Sequence, residues 1–193
     1  MTAHCRRTAP LVGLLAMLAG CGINPTLRTF ELGDQSSPAL GVWADNGLPS
    51  VELKTVTVPD YLDSTDILRH NGRNELIPSP TGRWGERLSR GLTHALATAL
   101  SARLPQMVIT TIATSAPRRQ IFVDIERFDI ETDGRCLIAA HWQIATADGR
   151  SPIRAHGTFG ATATATDDQA IAAAMTDAVD QLASEIAKGT NVE

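Results

Sequence analysis

Three alternating segments separated by two Asp-Gly dipeptides constrain the fold of this 193-residue chain more than any other feature. Arg119 to Asp133, Arg135 to Ala147 and Pro152 to Thr164 carry apolar side chains at every second position, the period of a half-buried strand. Asp133-Gly134 and Asp148-Gly149 lie between them, and such pairs suit the positive φ of a tight hairpin turn. The expectation is an antiparallel meander. In its first strand the apolar parity changes from odd (Ile121, Val123, Ile125) to even (Phe128, Ile130), which requires an extra residue and predicts a β-bulge near Glu126-Arg127. Cys136, Ile138, Ala140, Trp142 and Ile144 then form the core row of the second strand, and Ile153, Ala155, Gly157, Phe159 and Ala161 that of the third.

The earlier part of the chain reads less regularly. Leu27 to Leu32 is a short apolar-aromatic strand, and Asp34 to Ser50 is loop with a possible strand at Leu40 to Ala44. Val51, Leu53, Val56 and Val58 mark another strand ending at Pro59. Asn71-Gly72 joins Ile67-His70 to Asn74-Ile77 as a hairpin, and Met107 to Ile112 is a further short strand. An amphipathic helix is predicted from near Trp84 to about Leu104, with Leu88, Leu92, Ala95, Leu96, Ala99 and Leu100 continuing its stripe and Pro105 stopping it. Arg83, Glu86, Arg87 and Arg90 crowd its start, where positive charge opposes the helix dipole, so they either find a carboxylate or form a solvated arginine face. A second helix opens at Thr166-Asp167-Asp168-Gln169, read as a capping box, runs along Ile171, Met175, Ala178, Val179, Leu182 and Ile186, and stops at Lys188-Gly189. Two helices on such a sheet make an α+β two-layer domain.

Residues 1–20 are set apart from this pattern. A basic tip (His4, Arg6, Arg7), eleven apolar residues from Ala9 to Ala19 and small residues before Cys21 have the order of a secretory signal peptide. Eleven apolar residues fall well short of the roughly 20 that span a bilayer. Leu18-Ala19-Gly20-Cys21 resembles a bacterial lipobox, which implies acylation of Cys21 and cleavage after Gly20. The expected organisation is a signal peptide at 1–20, a lipidated cysteine and short tether at 21–26, and one domain at 27–193. Cleavage removes two of the 17 basic residues and no acidic ones, leaving 15 against 21 and a formal charge of −6. That balance argues against nucleic acid and against electrostatic adhesion to anionic lipid. Cys136 would be the sole remaining thiol, so no internal disulfide forms.

Catalytic and cofactor patterns are missing from the sequence. His70, His94, His141 and His156 have no zinc-ligand spacing, and neither a Gly-x-Ser-x-Gly elbow nor a phosphate-cradling glycine loop occurs. His141 and His156 are expected to face each other on the polar side of the sheet, as a solvated or structural pair in preference to a metal site. Asp60, Asp63 and Asp66 lack EF-hand spacing and read as loop and cap carboxylates. The chain is read as neither an enzyme nor a cofactor protein.

Val58-Pro59-Asp60-Tyr61-Leu62-Asp63, then Arg83-Trp84-Gly85-Glu86-Arg87-Leu88, then Ala139-Ala140-His141-Trp142 resemble, in this order, the ABC-type transport auxiliary lipoprotein family and its PqiC-like members. Gly85 stands where the family usually has alanine, and Phe30 where a tyrosine is usual. The resemblance implies a periplasm-facing lipoprotein that works with ABC transporter subunits and an MCE-domain protein in moving lipids or other hydrophobic compounds between membranes. It also implies outer-membrane anchoring, with which Gly22 after the cysteine is compatible. Tyr61, Arg83 and Trp84 are the expected docking residues, because aromatics beside arginine dominate interface energies; the competing reading packs Trp84 on the sheet. A homo-oligomer is compatible with a ring-shaped partner. An outer-membrane assembly factor and a lipid-anchored hydrolase are the rival classes, and a deep polar pocket would favour the hydrolase.

Overall fold

The computed structural model describes residues 26–33, 47–72, 74–113, 117–146 and 152–190. Residues 1–20, Cys21, the possible strand at Leu40 to Ala44 and the Asp148-Gly149 turn lie outside them. The elements in chain order are β1 (Arg28–Phe30), β2 (Ser50–Leu53), β3 (Asp66–His70), β4 (Leu76–Trp84), α1 (Leu88–Arg103), β5 (Val108–Thr110), β6 (Arg119–Ile130), β7 (Arg135–Thr146), β8 (Ile153–Thr162) and α2 (Asp168–Thr190). They form an α+β fold with two sheets, ordered β5-β2-β6-β7-β8 and β1-β4-β3.

The antiparallel meander is β6-β7-β8, paired residue by residue from Arg119↔Thr146 and Ile144↔Ile153 to Ile130↔Cys136 and Arg135↔Thr162. The bulge is where the parity places it: Ile125 pairs with Ala140 and Arg127 with Ala139, leaving Glu126 as the extra residue. Gly72 and Gly134 take φ of 92° and 82°, which turn residues without a Cβ adopt without strain. The core row of β7 is fully buried, whereas that of β8 is half-buried because β8 is an edge strand with a neighbour on one side only. β2 differs from the meander. It pairs parallel with both β5 and β6, so the five-stranded sheet is mixed. The predicted strand from Val51 to Val58 is broken after Leu53 because the Val56 amide donates to the Thr93 hydroxyl on α1, at 2.9 Å; Thr57 then rejoins the sheet opposite Asp124.

Both helices contribute to one apolar cluster with the two sheets, including Leu92, Leu96, Leu100, Ile121, Ile138, Ile144, Met175 and Leu182. The start of α1 is corrected from Trp84 to Leu88, because β4 runs through Arg83 and Trp84 as strand, paired with β1 and β3. The cap of α1 is remote. Arg87 offers its helix no side-chain cap, and Asp63 replaces it by accepting from the Ser89 amide at 3.1 Å and from Arg87 Nε at 3.2 Å. Partial burial pushes the Asp63 carboxyl up, but the Ser89 hydrogen bonds and the Arg87 charge outweigh that and hold it below the usual carboxylate range. The arginine cluster thus finds carboxylates for two of its members, the second pair being Arg90–Glu86 at 3.7 Å. Asp63→Ala should lower stability by about 1 kcal/mol, seen as a lower urea midpoint at unchanged slope.

The cap of α2 is also corrected. Asp167, not Thr166, accepts from the amides of Gln169 (2.9 Å) and Ala170 (3.0 Å), and Gln169 bonds Arg28 on β1 instead of reaching back. The helix continues past Lys188-Gly189 to Thr190, whose hydroxyl donates to the Ile186 carbonyl.

Candidate docking surface

The loop before β3 is built to hold Tyr61 outward. The Leu62 amide donates to the Pro59 carbonyl at 2.9 Å, the Asp63 amide to Asp60 at 3.3 Å, and Leu62 is buried as the anchor of the turn. Tyr61, between these bonds, is 53 % exposed. The loop is clamped to the elements beside it: the Trp84 amide donates to the Thr65 carbonyl (2.7 Å) and the Leu88 amide to Ser64 (3.1 Å). Arg83 is exposed on β4, across from Asp66. Tyr61 and Arg83 therefore share one rigidly supported end of the small sheet, the end where α1 begins.

Trp84 does not join them on the surface. It is 4 % exposed and packs edge-on against Phe128 of β6, with ring centroids 6.2 Å apart. That contact joins the small sheet to the large one, so the indole acts through packing and not by direct presentation. Alternation explains it: Gly82 and Trp84 are buried while Arg83 between them points to solvent.

The outer face of the meander collects the polar row. His141 and His156 are paired across β7 and β8 with rings 5.5 Å apart, both exposed, and His141 Nε2 lies 2.8 Å from Glu126 of the bulge. Among the described residues no group of three potential metal ligands occurs. A shallow open cleft of about 380 Å³ lies on this face, lined by Phe122, Asp124, His141, Gln143 and Arg154 among others. Phe122 is the exposed aromatic that the sequence analysis passed over; its even position between buried Ile121 and Val123 marks it as outward. A second cleft of about 300 Å³ between α1 and α2 is lined largely by small side chains such as Ala95, Ala99 and Thr176. Neither is a deep polar pocket.

Cys136 lies in the core row of β7 with Sγ near the carbonyls of Gly134 and Ile171. Burial pushes its thiol up to about 11, against a partial opposing pull from Arg69. At about pH 8 the native protein should resist a thiol reagent that modifies Cys136 at once in urea.

A family model described as the ABC-type transport auxiliary lipoprotein component matches residues 30–187, from β1 nearly to the end of α2. The chain belongs to that family. Over 139 residues it is 28 % identical to the intermembrane transport lipoprotein PqiC of Escherichia coli K12, covering 68 % of this chain and 71 % of PqiC. The PqiC of Shigella flexneri matches to the same extent. Two crystal structures share the fold: an uncharacterised protein (TM-score 0.73, 17 % identity, 86 % of this chain and 99 % of the other) and a protein from Xanthomonas campestris (TM-score 0.61, 18 % identity, 86 % and 91 %). The ABC-type auxiliary lipoproteins are transport components and not a known enzyme family. Among the described residues of this member, no helix is long and apolar enough to cross a membrane.

Proposed function

We propose that this auxiliary lipoprotein is held at the outer membrane through lipidated Cys21, faces the periplasm, and docks the end of an MCE-type partner of an ABC transport system for lipids or other hydrophobic compounds. The observation that carries this reading is the family match across both sheets and both helices, supported by the likeness to an intermembrane transport lipoprotein. Tyr61 and Arg83 supply the docking surface, and Trp84 holds it from beneath. The partners are the MCE-domain protein, ABC subunits and the membrane; a homo-oligomer would match a ring-shaped partner, and nucleic acid has no place in the scheme.

Affinity purification of the lipidated protein from cross-linked envelopes tests the reading. Recovery of an MCE-domain protein or ABC subunits is expected, and recovery of an outer-membrane barrel alone would replace it with the assembly-factor role. In the same cells Cys21→Ser should move the protein from the membrane fraction to the soluble periplasmic fraction, since acyl chains contribute about 0.8 kcal/mol per buried methylene.

A further inference from the structure

The histidine pair on the outer face of the meander is set by the backbone ladder as well as by alternation. The Ala163 amide donates to the Gly134 carbonyl at 2.9 Å, and the Gln181 side-chain amide reaches the Gly160 carbonyl from α2. Odd residues of β8 therefore bond to β7, and even ones turn their backbone groups to the free edge. His141 and His156 are thus a non-hydrogen-bonded pair, the register in which antiparallel strands bring side chains closest. Their ring centroids are 5.5 Å apart. With metal–nitrogen bonds of about 2 Å, two imidazoles on one ion have centroids roughly 4.5–6 Å apart. The pair stands within that window.

Glu126 decides which ring nitrogen of His141 is free. The bulge leaves this residue unpaired beside β7, and its carboxylate lies 2.8 Å from Nε2 of His141. An ionised carboxylate only accepts, so Nε2 carries the proton and the lone pair of the neutral ring sits on Nδ1. Metal-bound histidines are held in the same way, by a carboxylate on the second nitrogen that fixes the tautomer and raises ligand basicity. Among the described residues no hydrogen bond occupies Nδ1 of His141 or either ring nitrogen of His156. His94 also meets a carboxylate, Glu86 at 2.9 Å, but has no second imidazole beside it. Asp124, opposite His141 on β6, adds negative charge to the surroundings, while Arg154 has its Nε engaged by Gln143 at 2.9 Å.

We propose that His141 and His156 chelate one divalent transition-metal ion, with Glu126 as the carboxylate that orients His141. Two imidazoles suit Cu²⁺, Ni²⁺ and Zn²⁺, with Cu²⁺ bound most tightly, and offer nothing to Mg²⁺ or Ca²⁺, which take oxygen ligands. No third side chain joins the pair among the described residues, so water fills the remaining positions, and the open cleft beside His141 admits it. The strands place both rings without the ion. Binding therefore needs no refolding, and the metal-free protein keeps the same fold.

The test titrates the untagged full chain with Cu²⁺ alone in a non-chelating buffer and records pulsed EPR on the complex. One ion should bind per chain, with two imidazole nitrogens coupled to it. His141→Ala and His156→Ala should each weaken binding about tenfold or more, and Glu126→Ala about tenfold. His94→Ala should bind like the parent. Excess Zn²⁺ should displace the copper, and excess Mg²⁺ should not. All four side chains are exposed, so urea midpoints should match the parent and lost binding then reports the ligands and not the fold. No uptake by the parent, uptake that survives both histidine variants, or a spectrum with one imidazole nitrogen or none overturns the site. Parent-like binding in Glu126→Ala overturns the orienting role of that carboxylate.

Discussion

Asp168→Ala is expected to destabilise the protein by about 3 kcal/mol, the low end of the range for removing one partner of a buried ion pair, because the carboxylate is buried while the Arg69 side chain keeps 29 % exposure. Asp168 is 5 % exposed at the first position of α2 and accepts from Arg69 (2.5 Å), Thr81 (2.6 Å) and Ser79 (2.9 Å). These donors come from β3 and β4, so one carboxylate ties the small sheet to the helix that covers the meander. The fit is close enough that a Cβ at Gly82 would sit 2.6 Å from the carboxyl. Burial pushes this carboxyl up, but the hydroxyl and guanidinium donors outweigh it and hold it below the usual range. A depressed folded pKa means that the unfolded chain binds the proton more readily. The contribution is therefore fully present above the unfolded value of about 4 and is lost as pH falls through the lower folded value. Urea denaturation at neutral pH and again below about pH 4 measures both effects. Asp168→Asn keeps the shape without the charge, and it should flatten this acid limb. An unchanged acid limb in Asp168→Asn would assign the pH dependence elsewhere.

What was legible in the sequence follows the range of the interaction. The meander, its Asp133-Gly134 turn and the bulge at Glu126 all depend on period-two alternation within a few residues, and each is where the pattern puts it. Helix starts failed where distant groups decide them. Trp84 lies four residues before Leu88 and so fits the helical stripe, yet its backbone is paired with Phe30 of β1, and the cap of α1 comes from Asp63. Thr166 lost the cap of α2 to its neighbour because Gln169, which was to reach back, is engaged by Arg28, 141 residues away. The parallel pairing of β2 and the donors around Asp168 join segments far apart in the chain, which no local pattern encodes. The motif brings Tyr61 and Arg83 to one end of the small sheet, but it does not say which aromatic is outside. That depends on how β4 alternates, and Pro78 and Pro80 obscure its period.

Trp84 and Tyr61 give the second large effect, and their two variants should separate packing from docking. Trp84→Ala removes a buried indole between β4 and β6 and should cost about 3–5 kcal/mol of stability, the range for truncating a large core aromatic. Any loss of partner capture in that variant should track the unfolded fraction and be recovered by Trp84→Phe, which keeps an aromatic edge for Phe128. Tyr61→Ala removes a side chain that lies mostly in solvent, so stability should stay within about 0.5 kcal/mol of the parent. Capture of the MCE-type partner should nevertheless weaken by about 2 kcal/mol or more, roughly thirtyfold in affinity, as for an aromatic at the centre of an interface. Urea midpoints and binding titrations on the same preparations read both numbers. If Tyr61→Ala binds like the parent, and Arg83→Ala does too, the loop end of the small sheet is not the docking surface. The exposed Phe122 and Arg154 on the outer face of the meander would then be the next surface to substitute.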